Sequence, residues 1–414
     1  MTTRSVASCP TTDADLAHRV RETTVTVRHP DGSPAAGAEV AVEQVRHAFG
    51  LGNIGFDFVG LTPTELDRST LAEQWLGLYN TATLPFYWGD FEPTQGEPGT
   101  ARVRSAAEWL HGKGVRLKGH PLVWHTIAPQ WLVPLATEAV ERATRDRIRR
   151  EVTDFAGLVG AWDAINEVVI MPVFDNEPAG APAQNAITRL CWERGRIATV
   201  RLAFDEARAA DPDATLLIND FDLSTAYECL IEGLLEAGVR IDAIGLQSHM
   251  HQGYWGEERT QQVNERFARF GLPLHWTETT LLSGDLMPPE IEDLNDFQPQ
   301  VWPSTPEGEE RQADEIVRHY RTLASHPSVD VVTYWGLTDA GMWLGAPGGL
   351  VRADGSPKPS YDALRRLVTE DWWVAPTTVR TDAEGRLTVR GWAGDYRIGG
   401  ATLTLSGGDA EVAA

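Results

Sequence analysis

The segment VRLKGHPLVW (115–124), followed by EAVERATRDRIRREVTDF (138–155) and AWDAINEVV (161–169), decides how the chain reads. Two short apolar runs flank a long run with apolar residues at helical spacing and charges on its other face, the pattern of strand, helix and strand. The same alternation continues in both directions. Strands are expected over 47–54, 78–84, 115–124, 161–169, 214–221, 242–248, 272–279 and 330–337, with amphipathic helices over 70–78, 138–155, 187–210 and 256–270. Eight such units imply an α/β chain folded as a (β/α)8 TIM barrel, its loops enlarged beyond the usual chain of about 250 residues. The site of such a barrel sits at the C-terminal ends of its strands. The acidic, Pro-containing connection 280–306 follows the seventh strand, and loops of that length commonly form lids or walls.

Around the barrel domain (47–368) the pattern changes. Residues 1–21 read as a polar tail, and 22–46 as a β hairpin around the turn signals Asp31-Gly32 and Ala36-Gly37. Residues 369–414 return to alternating strands around Glu384-Gly385, so the N- and C-terminal segments are expected to pair into one small accessory β-sheet. Trp372, Trp373 and Trp392 on that segment serve either to pack it or to hold a glycan.

Composition narrows the function classes. The 414 residues carry 36 Lys and Arg against 59 Asp and Glu, a formal charge of −23, which opposes nucleic acid because phosphate binding needs clustered cations. Cys9, Cys191 and Cys229 have neither CxxC spacing nor an even count, which argues against structural zinc or a disulfide framework. No apolar run approaches the roughly 20 residues of a membrane span, and the polar start suggests a cytoplasmic protein unless a leader has been removed. Trp, at 15, outnumbers Phe at 12 and Tyr at 8. An indole offers a rigid apolar face with one polar edge, suited to lying against a sugar ring.

Two strand ends each present a glutamate: Trp162-Asp163-Ala164-Ile165-Asn166-Glu167 and His275-Trp276-Thr277-Glu278, 111 residues apart. That places them on the fourth and seventh strands, across the barrel mouth. Glycoside hydrolysis needs such a pair, one protonated to assist the leaving oxygen and one ionised to attack or to activate water. Two other readings remain open. His249-Met250-His251 with Asp339 could serve a metal-dependent hydrolase, and the fold could persist as a carbohydrate-binding protein without turnover.

The motifs Gly119-His120-Pro121-Leu122-Val123-Trp124-His125, Pro129-Gln130-Trp131, Asn166-Glu167, Asn219-Asp220, Gly245-Leu246-Gln247-Ser248-His249, Thr277-Glu278 and Trp335-Gly336-Leu337-Thr338-Asp339 appear in order. Phe91-Glu92-Pro93 and Lys358-Pro359-Ser360-Tyr361-Asp362 extend the set. From His47 to Leu367 the chain resembles glycoside hydrolase family 10, the endo-β-1,4-xylanase family. The resemblance implies a retaining enzyme without metal or cofactor, acting on a carbohydrate, with Glu167 as acid/base and Glu278 as nucleophile. It places His120, Trp124, Asn166, Gln247, His249 and Trp335 around the sugar, with Trp343 on a neighbouring wall and Tyr87 and Trp88 near it. The chain departs from the family at Thr83, Leu84 and Tyr87, where the family has Glu, Asn and Lys. It departs again at Ile127 in place of Gln and Thr280 in place of Asp. Loss of those sugar-gripping side chains on the non-reducing side implies a short oligosaccharide or small β-glycoside, cut from one end, as substrate.

Overall fold

The computed structural model describes residues 6–10, 14–174 and 185–413. Eight parallel strands close into a barrel: β1 Gly50–Ile54, β2 Thr81–Pro85, β3 Arg116–His120, β4 Val159–Asn166, β5 Thr215–Asp220, β6 Ala243–Met250, β7 Leu274–Leu281 and β8 Val329–Tyr334. Their spatial order is their chain order, and β8 closes on β1 through Val331–Thr333 against Gly50–Gly52. Helices cover the outside, so the strands are buried on both faces and read as near-continuous apolar runs such as TLLIND in β5. Leu216, Ile218, Ile244, Leu246, Trp276 and Val332 belong to one continuous core.

The long helix expected over 187–210 is two helices, Ala186–Arg194 and Arg196–Ala210. Gly195 separates them at φ 84°, a conformation that costs glycine nothing and most other residues strain.

The flanking segments differ more from expectation. Val20–Arg28 and Glu39–His47 do not form a hairpin together; each enters a different four-stranded sheet. The first pairs with Arg386–Trp392 and Gly408–Ala413, the second with Thr377–Arg380 and Gly394–Ile398. The single accessory sheet is therefore two, whose inward residues alternate along each strand: Val25, Val27, Val40, Val42, Leu387, Val389 and Ile398 are buried. Both runs bury one face and need a partner layer, which a lone hairpin lacks. Two elements fall within the expected polar tail. Val6–Ser8 pairs in parallel with Thr388–Arg390, burying Ala7, while Leu16 anchors the short helix Ala14–Arg19.

This sandwich docks at the N-terminal end of the barrel. Ala48 N–H donates to the Ala393 carbonyl, His47 contacts the Val368 carbonyl at 2.9 Å, and Arg46 donates to the Gly114 carbonyl. Trp372 and Trp392 stack at 4.4 Å inside it and are fully buried. Both are packing residues, and so is Cys9, which is buried. No helix among the described residues is long and apolar enough to cross a membrane.

Candidate active site

The end of β4 delivers Asn166 and then Glu167, which adopts φ 55°. A left-handed non-glycine residue costs on the order of 1–3 kcal/mol and persists where its surroundings over-determine it. Here the Glu167 N–H donates to the Asn219 carbonyl at 2.8 Å. Downstream, the Val169 N–H donates to the buried Asp220 carboxylate at 3.0 Å. The end of β7 delivers Glu278, opposite Gln247 of β6.

Amides join the two carboxyls. Asn166 Nδ2 donates to Glu167 Oε1 at 3.1 Å, and Gln247 Nε2 donates to the same oxygen at 3.2 Å. Asn219 Nδ2 donates both to Asn166 Oδ1 at 2.8 Å and to Glu278 Oε1 at 2.9 Å. Trp124 Nε1 holds the second oxygen of Glu167 at 2.7 Å. On the other side His249 Nε2 lies 3.1 Å from Glu278 Oε2, while its Nδ1 lies 3.1 Å from Thr280 Oγ1. His120 Nδ1 meets Asp163 Oδ2 at 2.6 Å, the oxygen that also accepts from Lys118 Nζ at 2.7 Å, and His120 Nε2 lies 3.9 Å from Glu278.

The environments push the two acids apart, which is how one fold separates acid from nucleophile. Burial, then the charge of Glu278, raises Glu167 to about 7 against the hydrogen bonds from Trp124, Gln247 and Asn166. Glu278 is equally removed from water, yet His120, His249 and Lys118 outweigh that penalty and hold it below the ordinary glutamate value. One carboxyl thus keeps its proton near neutrality while its neighbour is ionised.

Both face a cavity of about 770 Å³ at the barrel mouth, lined among others by Tyr87, His120, Trp124, Asn166, Gln247, His249, Trp335 and Trp343. A larger cavity of about 1320 Å³ lies at the opposite end, between the strand starts and the sandwich. It contains neither acidic partner, so the chemistry belongs to the mouth.

The model of glycosyl hydrolase family 10 matches residues 81–367. The chain belongs to that family. An endo-1,4-beta-xylanase/feruloyl esterase of Xylanibacter ruminicola is 27% identical over 299 residues, covering 64% of this chain and 39% of that protein. Endo-1,4-beta-xylanase B of Thermotoga neapolitana is 27% identical over 299 residues, covering 68% of this chain and 78% of that one. The solved structure of GH10 from Paenibacillus barcinonensis superposes with a TM-score of 0.62 at 25% identity, over 78% of this chain and 96% of that chain.

Within this family 10 chain, the residues singled out from sequence divide. Glu167, Glu278, His120, Trp124, Asn166, Gln247, His249, Trp335, Trp343 and Tyr87 come together at one cavity. Trp88 does not. It starts the short helix Trp88–Phe91 after β2, donates to Glu92 at 3.0 Å and packs against Trp131 and Arg147, buried beneath the mouth. Leu84 also points away: it is fully buried, close to Gly55 on the outer side of the barrel. Ile127 lines the cavity against Gly89. Among the described residues no group of three His, Cys, Asp or Glu is placed to hold a metal ion. His251, the other half of the His-Met-His pair, is buried against Trp343 and Trp302.

Sequence reasoning missed Phe56, Ile170, Phe174, Phe221 and Trp255, all of which line the cavity. Each lies just past a strand end, and that position was the available signal. It also missed the buried Lys118–Asp163 pair, though Asp163 inside an apolar strand requires a partner.

Gly245 carries a testable consequence. A Cβ there would meet Asn219 Oδ1 at 2.4 Å, so Gly245→Ala displaces the amide that joins the carboxyls. A misplacement of about 1 Å in such a site costs on the order of 100-fold. We expect kcat/KM to fall by about that factor with the melting temperature lowered by less than about 10 °C, read by steady-state kinetics and calorimetry.

Proposed function

We propose that the protein is a retaining β-glycoside hydrolase acting on xylo-oligosaccharides or a small β-glycoside by double displacement. One observation carries the reading: Glu167 raised to about 7 and Glu278 held low, in one cavity and joined through Asn166 and Asn219. The named activity of the relatives supports a β-1,4-linked carbohydrate substrate.

In the first step a Glu278 oxygen bonds to the anomeric carbon as Glu167 gives its proton to the glycosidic oxygen, and the C–O bond to the leaving alcohol breaks. In the second, ionised Glu167 takes a proton from water as the water oxygen bonds to the same carbon and the carbon–Glu278 bond breaks, releasing Glu278 as a carboxylate. Two inversions leave the configuration unchanged. Asn166 and Gln247 are placed to meet sugar hydroxyls beside the acid, and His249 orients the nucleophile.

Proton NMR of the first product formed from aryl β-glycosides tests this. The β-anomer is expected to appear before mutarotation, and initial formation of the α-anomer overturns the mechanism.

The pH profile follows from the same two groups. The acid works only while protonated, so kcat/KM falls as pH rises through about 7. The nucleophile works only while ionised, so activity falls again in acid, below the ordinary glutamate value. Glu167→Gln is expected to remove the alkaline limb on an activated aryl glycoside; a limb left unchanged would assign it to another group.

A further inference from the structure

The mouth is closed at one end by aromatic rings. Phe56 meets Tyr87 edge-on at 5.8 Å and Trp335 at 5.6 Å. Tyr87 meets His120 at 5.5 Å and Trp124 at 5.4 Å, and His120 meets Trp335 at 5.2 Å. Rings at such separations are in van der Waals contact, so a pyranose cannot pass between them. Behind them Thr83 and Leu84 are fully buried and offer no polar group to the cavity.

Across the cavity from these rings, among the described residues, lie Ile170 and Phe174, on the segment that leaves Glu167, with Phe221 and Trp255; Phe221 is 49% exposed. Both histidines beside Glu278, His120 and His249, meet Trp335 of this wall, at 5.2 and 6.1 Å; Trp124 of the wall also donates to Glu167, whose own chain segment leads away from the wall toward Phe174. The glycone bonds to the nucleophile and the leaving group takes the donor's proton. The glycone therefore occupies the closed end.

His120, Asn166, Asp57 and Tyr87 bring polar side chains to the cavity. A second glycone sugar would find a wall with no partner for its hydroxyls, and an unpaired buried hydroxyl is costly. The Tyr87 phenol stays a donor, since burial and then the charges of Glu278 and Glu167 push its pKa well above the ordinary value.

We infer that Tyr87, braced by Phe56, Trp124 and Trp335, limits the glycone to a single sugar, so that the enzyme removes one terminal residue per cleavage and takes the leaving group on the side of Ile170, Phe221 and Trp255. The inference rests on the catalytic reading above and deepens it. Tyr87 is here a specificity residue; it takes no part in bond making.

Matched aryl β-monosides and β-biosides test it: xyloside with xylobioside, glucoside with cellobioside, each followed by aryl release. For the sugar accepted, kcat/KM on the monoside is expected to exceed that on the bioside by at least about tenfold, and a reducing-end-labelled tetraose is expected to release only monosaccharide at first. Tyr87→Ala opens the wall and is expected to move the ratio toward the bioside by about tenfold. Tyr87→Phe keeps the wall, so the ratio holds while activity on the monoside falls.

A bioside preferred by the unmodified enzyme, or internal fragments from the labelled tetraose, overturns the single-sugar limit and leaves the two-carboxylate mechanism intact. No hydrolysis of any aryl glycoside overturns both. Because the primary ratio is read on the unmodified protein, a misfolded variant does not decide the outcome.

Discussion

Replacing Glu278 by Ala is expected to lower kcat/KM by at least about 10⁴-fold on every substrate, because removal of a covalent nucleophile eliminates the pathway and leaves only binding and residual electrostatics. The fold should survive. Glu278 is buried among Asn219, His249 and His120, each with a further anchor: Thr277 donates to Asn219, Thr280 contacts His249, and Asp163 holds His120. Removing the carboxylate also removes its desolvation penalty. The melting temperature is expected to stay within about 4 °C of the parent. Calorimetry and kinetics read the two effects separately, and activity above about 1% of the parent would assign the nucleophile elsewhere.

Glu167→Ala is expected to discriminate between leaving groups. Positioned general-acid catalysis contributes roughly 10²–10⁴-fold where the departing oxygen needs a proton. Alkyl glycosides and oligosaccharides should lose that amount, whereas an activated nitrophenyl glycoside should lose about tenfold or less in its first step. The second step then limits, since no base assists water, and a burst of aryl alcohol is expected. Equal losses on both substrate classes would contradict the assignment.

The barrel and the meeting of two carboxyls at its mouth were legible because they rest on local patterns. Alternating apolar strands and amphipathic helices repeat along the chain, and a barrel strand sends its C-terminal residues to one mouth, so Asn166-Glu167 and Thr277-Glu278 had to converge there. The pairing of the flanking strands was not legible. Val20–Arg28 and Glu39–His47 are adjacent in sequence and carry turn signals between them, yet each finds its partners more than 300 residues away. Alternation specifies which face is buried and says nothing of which strand lies alongside.

The same limit explains Trp88 and Leu84. Trp88 follows Tyr87 directly and Leu84 lies three residues before it on β2; the backbone path after β2 turns Tyr87 into the mouth and Trp88 beneath it, while the strand itself faces Leu84 outward. The aromatic lining at Phe174, Phe221 and Trp255 was hidden because a loop side chain acquires its direction from tertiary contacts.

The interleaving of the two chain ends has a consequence for synthesis. Val25 takes its place opposite Leu387, so the earlier strand has no antiparallel neighbour until roughly 360 further residues have been made. At roughly 5–20 residues per second that is a delay on the order of tens of seconds, long enough for the barrel to close beforehand. Assembly then runs from the barrel outward, the later strands of the sandwich clasping the earlier ones beneath a barrel already closed.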